Sequence, residues 1–452
     1  MTTTAGLPPG PRALPIEQLR RWMYSPTVLL DECAAAHGDW FTIRFPRGIT
    51  MVVTSDPAAI RDLFAGDPDT LLAGAGNRFF RPSLGAESIL TIDGQPHRRV
   101  RRLMMPPFHG ERMRAYAQDI ARITAERVAR WPRGRVLVSH HEFQAMALEV
   151  ILATMFGLKP GEDFALREEL SRFLEDNSGP FTIFLGMLML DQDGRPPLAG
   201  LVEGLGDWTP YGRLLRRRRR IDELLQREIE RRRGSSRAGG DFLSLFLEAR
   251  DEHGDRLSDA ELRDQMVTLL LAGHETTATS LSWAFRRLTA EPEALSALKS
   301  ELAGAPEGDP AQAAGLKYLD AVVSEALRID PVVPLVWRQL TEPTTLGGRE
   351  LPAGVAVAAS IYLAHRRPDV WPEPERFLPQ RFFDRRPAPW EYLPFGGGAR
   401  RCLGMAFAQF EMKLIMAEVL RRADVRAAPG RSRVVRRSVT LAPHDGAPVL
   451  VA

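Results

Sequence analysis

Phe395-Gly396-Gly397-Gly398-Ala399-Arg400-Arg401-Cys402-Leu403-Gly404 places one of the two cysteines of this 452-residue chain in a glycine-rich loop, directly ahead of a long apolar stretch. The periodicity from Met405 to about Arg422 predicts a helix, and its positive dipole end and free backbone amides would face the sulfur. Such fields lower a thiol's pKa and favour the thiolate, the form that binds metal. Gly396, Gly397, Gly398 and Gly404 carry no Cβ, so the loop can approach a flat group closely. Arg400, two residues before the cysteine, is placed to pair with an acidic edge, and Phe395 to cover the sulfur from water.

Phe, Gly, Arg, Cys and Gly fixed at F-x-x-G-x-R-x-C-x-G spacing are expected by chance in on the order of one chain in ten thousand. The segment resembles the haem-binding signature of the cytochrome P450 family. That resemblance implies haem b as cofactor, with Cys402 as the axial thiolate that favours O–O cleavage, and O2 as co-substrate. It also implies cofactor contacts from Phe395, Gly396, Arg400 and Gly404.

A second constellation lies upstream. Ser258 and Glu261 form a capping-box pattern, and the apolar periodicity that follows predicts a helix to about Ala290, ended by Glu291-Pro292. Inside it, Ala272-Gly273-His274-Glu275-Thr276-Thr277 is a poor choice for a helix interior. Glycine costs about 1 kcal/mol relative to alanine, and threonine hydroxyls compete for carbonyls one turn earlier. A widened or kinked turn is expected. The segment resembles the A-G-x-[DE]-T-T motif of the family's distal helix. By that resemblance Ala272 and Gly273 adjoin the cofactor, Thr276 hydrogen-bonds the oxygen being activated, and Glu275 belongs to the proton-delivery route.

Glu325 and Arg328, three apart on one helical face, resemble the family's E-x-x-R motif. Its partner arginine would be Arg381 of Pro379-Gln380-Arg381-Phe382, where Gln380 replaces the usual glutamate. The resemblance gives these three a structural role behind the haem loop. Two propionates need about two compensating charges or several hydrogen bonds. His97 and Arg101, on a helix expected to open at Pro96, resemble the propionate-binding helix; Arg338 looks like the equivalent arginine of the strand region, and Arg400 completes the set. Arg98, Arg99 and Arg102 would then face outward and, with Arg401, form a basic docking patch for an acidic electron donor.

With 44% hydrophobic residues and no Gly/Ser-rich linker, the chain is expected to form one domain over residues 1–452, without a fused reductase. Residues 234–240 read as a surface loop. The fold class is mainly α (α+β), with the P450 fold implied by the resemblance: a helix-rich body and a small β-sheet lobe, strands lying near Trp40 to Thr54, Thr344 to Ile361 and the carboxyl terminus. Cys33 and Cys402 are too few for a disulfide framework, and the first fifteen residues lack an apolar core, so a cytoplasmic protein with no transmembrane anchor is expected. The run Pro180 to Leu190 is too short to span a bilayer but suits a membrane contact or a lid over an access path. A net charge of +3 gives no indication of a nucleic-acid partner, and most of Arg216 to Arg220 should be solvated.

The resulting expectation is a haem-thiolate monooxygenase. It would hydroxylate or epoxidise a lipophilic small molecule such as a fatty acid, terpenoid or polyketide, with electrons from a separate ferredoxin or flavodoxin and its NAD(P)H-dependent reductase. Phe79, Phe80, Leu84, Leu269, Ala272, Thr277, Pro334 and Val336 are the expected pocket residues, and the block Gly76 to Arg112 looks similar to bacterial family members that oxidise fatty acids or terpenoids. A peroxide-driven peroxygenase would share Cys402, but the Glu275-Thr276 pair argues against it. A non-catalytic haem protein, for sensing or electron transfer, would have no need for a disrupted distal helix.

Overall fold

A computed structural model describes residues 6–108, 111–158, 164–176, 206–234, 240–306, 308–430, 432–437 and 439–452. The run at 180–190 lies outside these residues, as does most of 234–240.

Six helices build and brace the site: α1 (Gly94–Met104), α2 (Ser139–Phe156), α3 (Pro210–Arg233), α4 (Asp259–Ala290), α5 (Lys317–Ile329) and α6 (Met405–Arg422). Beside them lies a five-stranded sheet containing β1 (Trp40–Arg44), β2 (Thr50–Thr54), β3 (Leu71–Leu72), β4 (Leu335–Leu340) and β5 (Ala356–Ser360), in the order β1-β2-β5-β4-β3. Only the β2–β5 pair is parallel, with Met51 opposite Ala356 and Thr54 opposite Ala359. The helical body and the sheet lobe expected from the sequence are both present. Strand β4, which carries Arg338, was recognised only as a strand region.

Helix α4 is the spine. Ser258 Oγ accepts from Glu261 N–H at 3.2 Å, and Glu261 Oε2 accepts from Ser258 N–H at 2.8 Å, so the capping box forms as read. Apolar residues along one broad face, among them Leu262, Met266, Leu270, Leu281, Phe285 and Leu288, are buried, and Trp283 is buried on the opposite side. Ser258→Ala removes the acceptor for one terminal amide and is expected to lower stability by about 1 kcal/mol, read from the denaturant midpoint at unchanged slope.

Residues 272–277 stay within α4, which is assigned as one helix from Asp259 to Ala290. Thr276 Oγ1 does donate to Ala272 O at 2.5 Å, the expected back-bonding. Gly273 has another use. A Cβ there would lie 3.1 Å from Ile151 Cδ1, so the glycine lets α2 pack closely on α4.

Most of the arginines at 216–220 are at least partly exposed, as read, and one charge reading, on α1, is corrected. Arg218, in the arginine run on α3, is buried and donates to Asp264 at 2.5 Å, Asp222 at 3.0 Å and Ser83 O at 2.8 Å. Helix α1 begins at Gly94 rather than Pro96, and its outward arginines are already paired: Arg98 with Asp69, Arg99 with Asp251 and Glu261, and Arg102 with Glu252. Their charge is matched locally, so α1 offers no patch of three free cations. Arg401 remains exposed.

Candidate active site

The loop preceding α6 is held from behind. Glu325 and Arg328 on α5 are fully buried and joined by two bonds, Arg328 Nε to Oε2 at 2.7 Å and Nη2 to Oε1 at 2.8 Å. Arg381 Nε donates to the same Oε1 at 3.1 Å, so the three structural residues come together and Gln380 leaves the contact intact. Arg328 Nη1 donates to His365 O at 2.8 Å. His365 Nδ1–H returns a bond to Arg328 O at 2.9 Å, leaving Nε2 to accept from Leu393 N–H at 2.8 Å. An imidazole bonded this way is neutral, and burial followed by Arg328's charge pushes its pKa down to about 3. The chain of bonds from α5 thus ends at the start of the Cys402 loop.

Within the loop, Cys402 N–H donates to Phe395 O at 2.9 Å. Phe395 packs half-buried against the main core. Gly397 and Gly398 serve a protein neighbour: a Cβ would lie 2.3 Å from the Phe64 ring at one and 2.2 Å from Phe64 O at the other, where φ is +65°. Gly396, at φ +64°, has Val336 Cγ1 3.6 Å from its absent Cβ, and Gly404 has nothing closer than Phe108 at 3.8 Å. These two stay free to admit a flat group.

Cys402 is a free, accessible thiol set deep in the protein. Burial raises its pKa, opposed by the Gly404 amide and by the Arg101 and Arg401 charges. The lowering expected from the helix end is therefore outweighed in the protein alone.

His97, Arg101, Arg338 and Arg400 converge on this loop. His97 is buried and pushed down to about 3, first by burial and then by Arg400, Arg101 and Arg338. Arg338 is buried; its donors reach only the carbonyls of Trp337, at 2.7 Å, and Gly397, at 3.3 Å. Burial and then Arg400's charge lower it to about 10. Arg101, also lowered by burial, has no hydrogen-bond or ion-pair partner among the described residues.

The carboxylate of the cluster is Asp93, contacted by Arg400 and by the amides of Ala73, Gly74 and Ala75 at 3.1, 2.8 and 2.8 Å. Arg400 therefore has a protein carboxylate of its own, which the sequence reading did not foresee. Three guanidiniums (Arg101, Arg338 and Arg400) against one carboxylate leave two positive charges around the Cys402 loop. A dicarboxylate edge is what such a site would neutralise, so the residues fit a haem with two propionates.

On α4, Leu269, Ala272 and Thr276 stay accessible while Leu270, His274, Glu275, Thr277 and Ala278 are buried. Positions i, i+3 and i+7 share one face, so the three form a continuous accessible stripe. Phe79, Phe80 and Val336 are also partly accessible, and the two phenylalanine rings lie 3.9 Å apart. Leu84, Thr277 and Pro334 are buried off this lining. The segment after Phe80 is pinned to α4: Glu87 N–H donates to Asp264 at 2.9 Å, Ile89 N–H to Gln265 at 2.9 Å, and Ser88 Oγ lies 2.7 Å from Thr268 Oγ1.

Glu275 points away from the stripe, towards α2, where Gln144 Nε2 donates to it at 2.7 Å and His140 Nε2 lies 3.4 Å away. Burial pushes its pKa up, yet His140, Gln144 and His274 together hold it below the usual carboxylate range. Its stabilising contribution is therefore present above that range and lost as pH falls through the lowered value. Glu275→Gln is expected to flatten this part of the acid limb when thermal stability is followed against pH. Neither Asp93, His140 nor His365 figured among the sequence candidates; each is a polar residue whose partner lies far along the chain.

The family model described as Cytochrome P450 matches residues 5–439. A Mycobacterium tuberculosis protein named as cytochrome P450 135B1 is 40% identical over 454 residues, covering 100% of this chain and 92% of the relative. Another from the same species, named as cytochrome P450 135A1, is 37% identical, covering 99% of this chain and 95% of the relative. Among solved structures, retinoic acid bound cyanobacterial CYP120A1 superposes with a TM-score of 0.82 at 25% identity, covering 99% of both chains. No helix among the described residues is long and apolar enough to cross a membrane.

Proposed function

The chain belongs to the cytochrome P450 family, whose cofactor is a haem iron ligated by a cysteine thiolate, and from that membership we propose a monooxygenase acting on a lipophilic small molecule, built as one haem domain over residues 1–452. Bound haem supplies the iron at which dioxygen is activated with two electrons and two protons, one oxygen atom entering the substrate and the other leaving as water.

Each residue then has a task. Cys402 Sγ would ligate the haem iron, with Phe395, Gly396 and Gly404 of the same loop against the cofactor. Arg101, Arg338 and His97 hold the propionates, and Arg400 divides its donors between Asp93 and that edge. Ala272 would keep side-chain bulk low on the cofactor's open face, and Gly273 beside it lets α2 close on the helix there. Thr276 presents its hydroxyl to the pocket, and Glu275 supplies protons from behind. Arg101, without a hydrogen-bond or ion-pair partner among the described residues, and Arg338, bonded there to carbonyls and to no carboxylate, are the observation that carries this reading.

Leu269, Ala272, Val336, Phe79 and Phe80 make the accessible lining apolar, supporting a fatty-acid, terpenoid or polyketide substrate. The retinoic acid held by the cyanobacterial CYP120A1 is an apolar acid, which favours the first two. Electrons are proposed to come from a separate ferredoxin or flavodoxin with its NAD(P)H-dependent reductase. The proposed setting is the cytoplasm, where both free cysteines stay reduced.

The deciding experiment is the absorbance difference between reduced protein with and without carbon monoxide, followed by turnover of fatty acids and terpenoids with surrogate donors. A strongly red-shifted Soret band with oxygenated product supports the reading; a haem complex lacking that band overturns it. Arg101→Ala and Arg338→Ala are each expected to speed haem loss to a haem-scavenging protein by about tenfold or more, the size of effect seen when a cofactor's outer partners are removed.

A further inference from the structure

Asp93 stands where a helix-capping residue would, directly before α1, yet its side chain bonds none of that helix's amides. The carboxylate turns the other way. Oδ1 accepts from Ala73 N–H at 3.1 Å and Gly74 N–H at 2.8 Å, Oδ2 accepts from Ala75 N–H at 2.8 Å, and Arg400 Nη2 donates to Oδ1 as well. Gly74 makes room for this contact: a Cβ there would lie 2.7 Å from Oδ2 and 2.6 Å from Ile92 O. Four donors and a glycine thus hold one carboxylate against the arginine that lies two residues before Cys402.

Arg400 is committed in return. Nη2 spends its two hydrogens on Asp93 and on Ile92 O at 2.7 Å, and Nη1 spends one on Ile89 O at 3.1 Å. Only Nε–H and one Nη1–H are left for another acceptor. The pair is largely buried, with 10% and 14% of the two side chains exposed, so salt screens it little. Its field reaches the rest of the cluster: after burial, Arg400 lowers the pKa of Arg338 further, and Asp93 opposes that lowering. His97, kept neutral chiefly by burial, adds no charge. Arg101, Arg338 and Arg400 set against Asp93 and two propionates therefore sum to zero. Without Asp93 the same edge would carry one surplus positive charge, and a positive charge near a redox centre favours uptake of an electron.

We propose that Asp93 is a positioning residue that sets the reduction potential of the bound haem: it cancels the charge of Arg400, favours the ferric state, and so reserves reduction for a strongly reducing donor. The inference rests on the monooxygenase reading above. In the step it governs, the donor loses one electron and ferric haem gains it, with no bond made or broken by Asp93. Arg400 is held in place by the same contact, so its remaining donors face the cofactor edge from a fixed position.

The test is a dye-coupled redox titration of the haem-loaded protein without substrate. Asp93→Asn keeps an acceptor at Oδ1 and drops the charge. At a fixed solution potential its ratio of ferrous to ferric haem is expected to rise about tenfold, an upward shift of about 59 mV for one electron. Arg400→Gln removes the opposite charge and should move the potential downward, and the double variant should return towards the native value. An unchanged or lowered potential in Asp93→Asn overturns the proposal. So does a shift of the same sign in all three variants, which would come from a disturbed loop rather than from charge. If Arg400→Gln takes up no haem, Asp93→Asn alone decides. A native protein without the thiolate carbonyl band defeats the functional reading instead, and the opposed shifts of the two variants still decide the role of Asp93.

Discussion

Cys402→Ser is expected to abolish the red-shifted reduced carbonyl band and to cut turnover by on the order of a thousandfold or more. Loss of an outer partner of a metal site costs about 10–100-fold, and loss of the ligand itself must exceed that. The loop geometry does not depend on sulfur, because the bond from residue 402 to Phe395 O is made by the backbone amide. A serine hydroxyl in the same place stays protonated and offers a hard, weakly donating oxygen. Stability should change little, so unfolding and spectrum separate loss of ligand from loss of fold. A variant that kept both the band and the activity would remove Cys402 from its proposed role.

Glu325→Ala is expected to be the most damaging substitution to the fold, lowering stability by about 3–5 kcal/mol. That is a large part of the about 5–15 kcal/mol typical of a folded domain. The glutamate accepts from Arg328, from Arg381 and from Leu378 N–H at 2.9 Å, and its loss strands a guanidinium with no exposed surface. The effect should reach the site through His365 and Leu393. Haem content of the purified protein should fall along with the denaturant midpoint. Glu325→Gln keeps a carbonyl acceptor but not the charge, and is expected to fall between the native protein and alanine.

What the sequence discloses about this molecule follows how local the signal is. The Cys402 loop, the capping box at Ser258 and the long helix behind it are written in consecutive residues, and all three are found in place. Glu325, Arg328 and Arg381 are readable through the family motif they resemble, the first two lying one helical turn apart. His365 joins the same network from outside any motif. Arg400 was legible as a cation but its carboxylate was not, since Asp93 lies 307 positions earlier. Gly273 has a reason for being small, its neighbour Ile151, that no spacing on α4 can announce. Arg218 shows the same limit: the run implies that most of its five arginines are solvated, and it is α4, by supplying Asp264, that decides which one is buried.

The fastening of residues 85–93 has a consequence for exchanging substrate preference between relatives. Asp264, Gln265 and Thr268 fix the middle of that stretch, while Arg400 donates to Ile89 O at 3.1 Å and to Ile92 O at 2.7 Å at its far end. A transplanted version from another family member would arrive without its own anchors, and its free ends would be set by side chains of the recipient's helix and ligand loop. Loop chimeras in this protein should therefore be built as a module of two pieces, the 85–93 stretch together with positions 264, 265 and 268. Single-piece grafts would be expected to disturb haem seating before they change which molecule is oxidised.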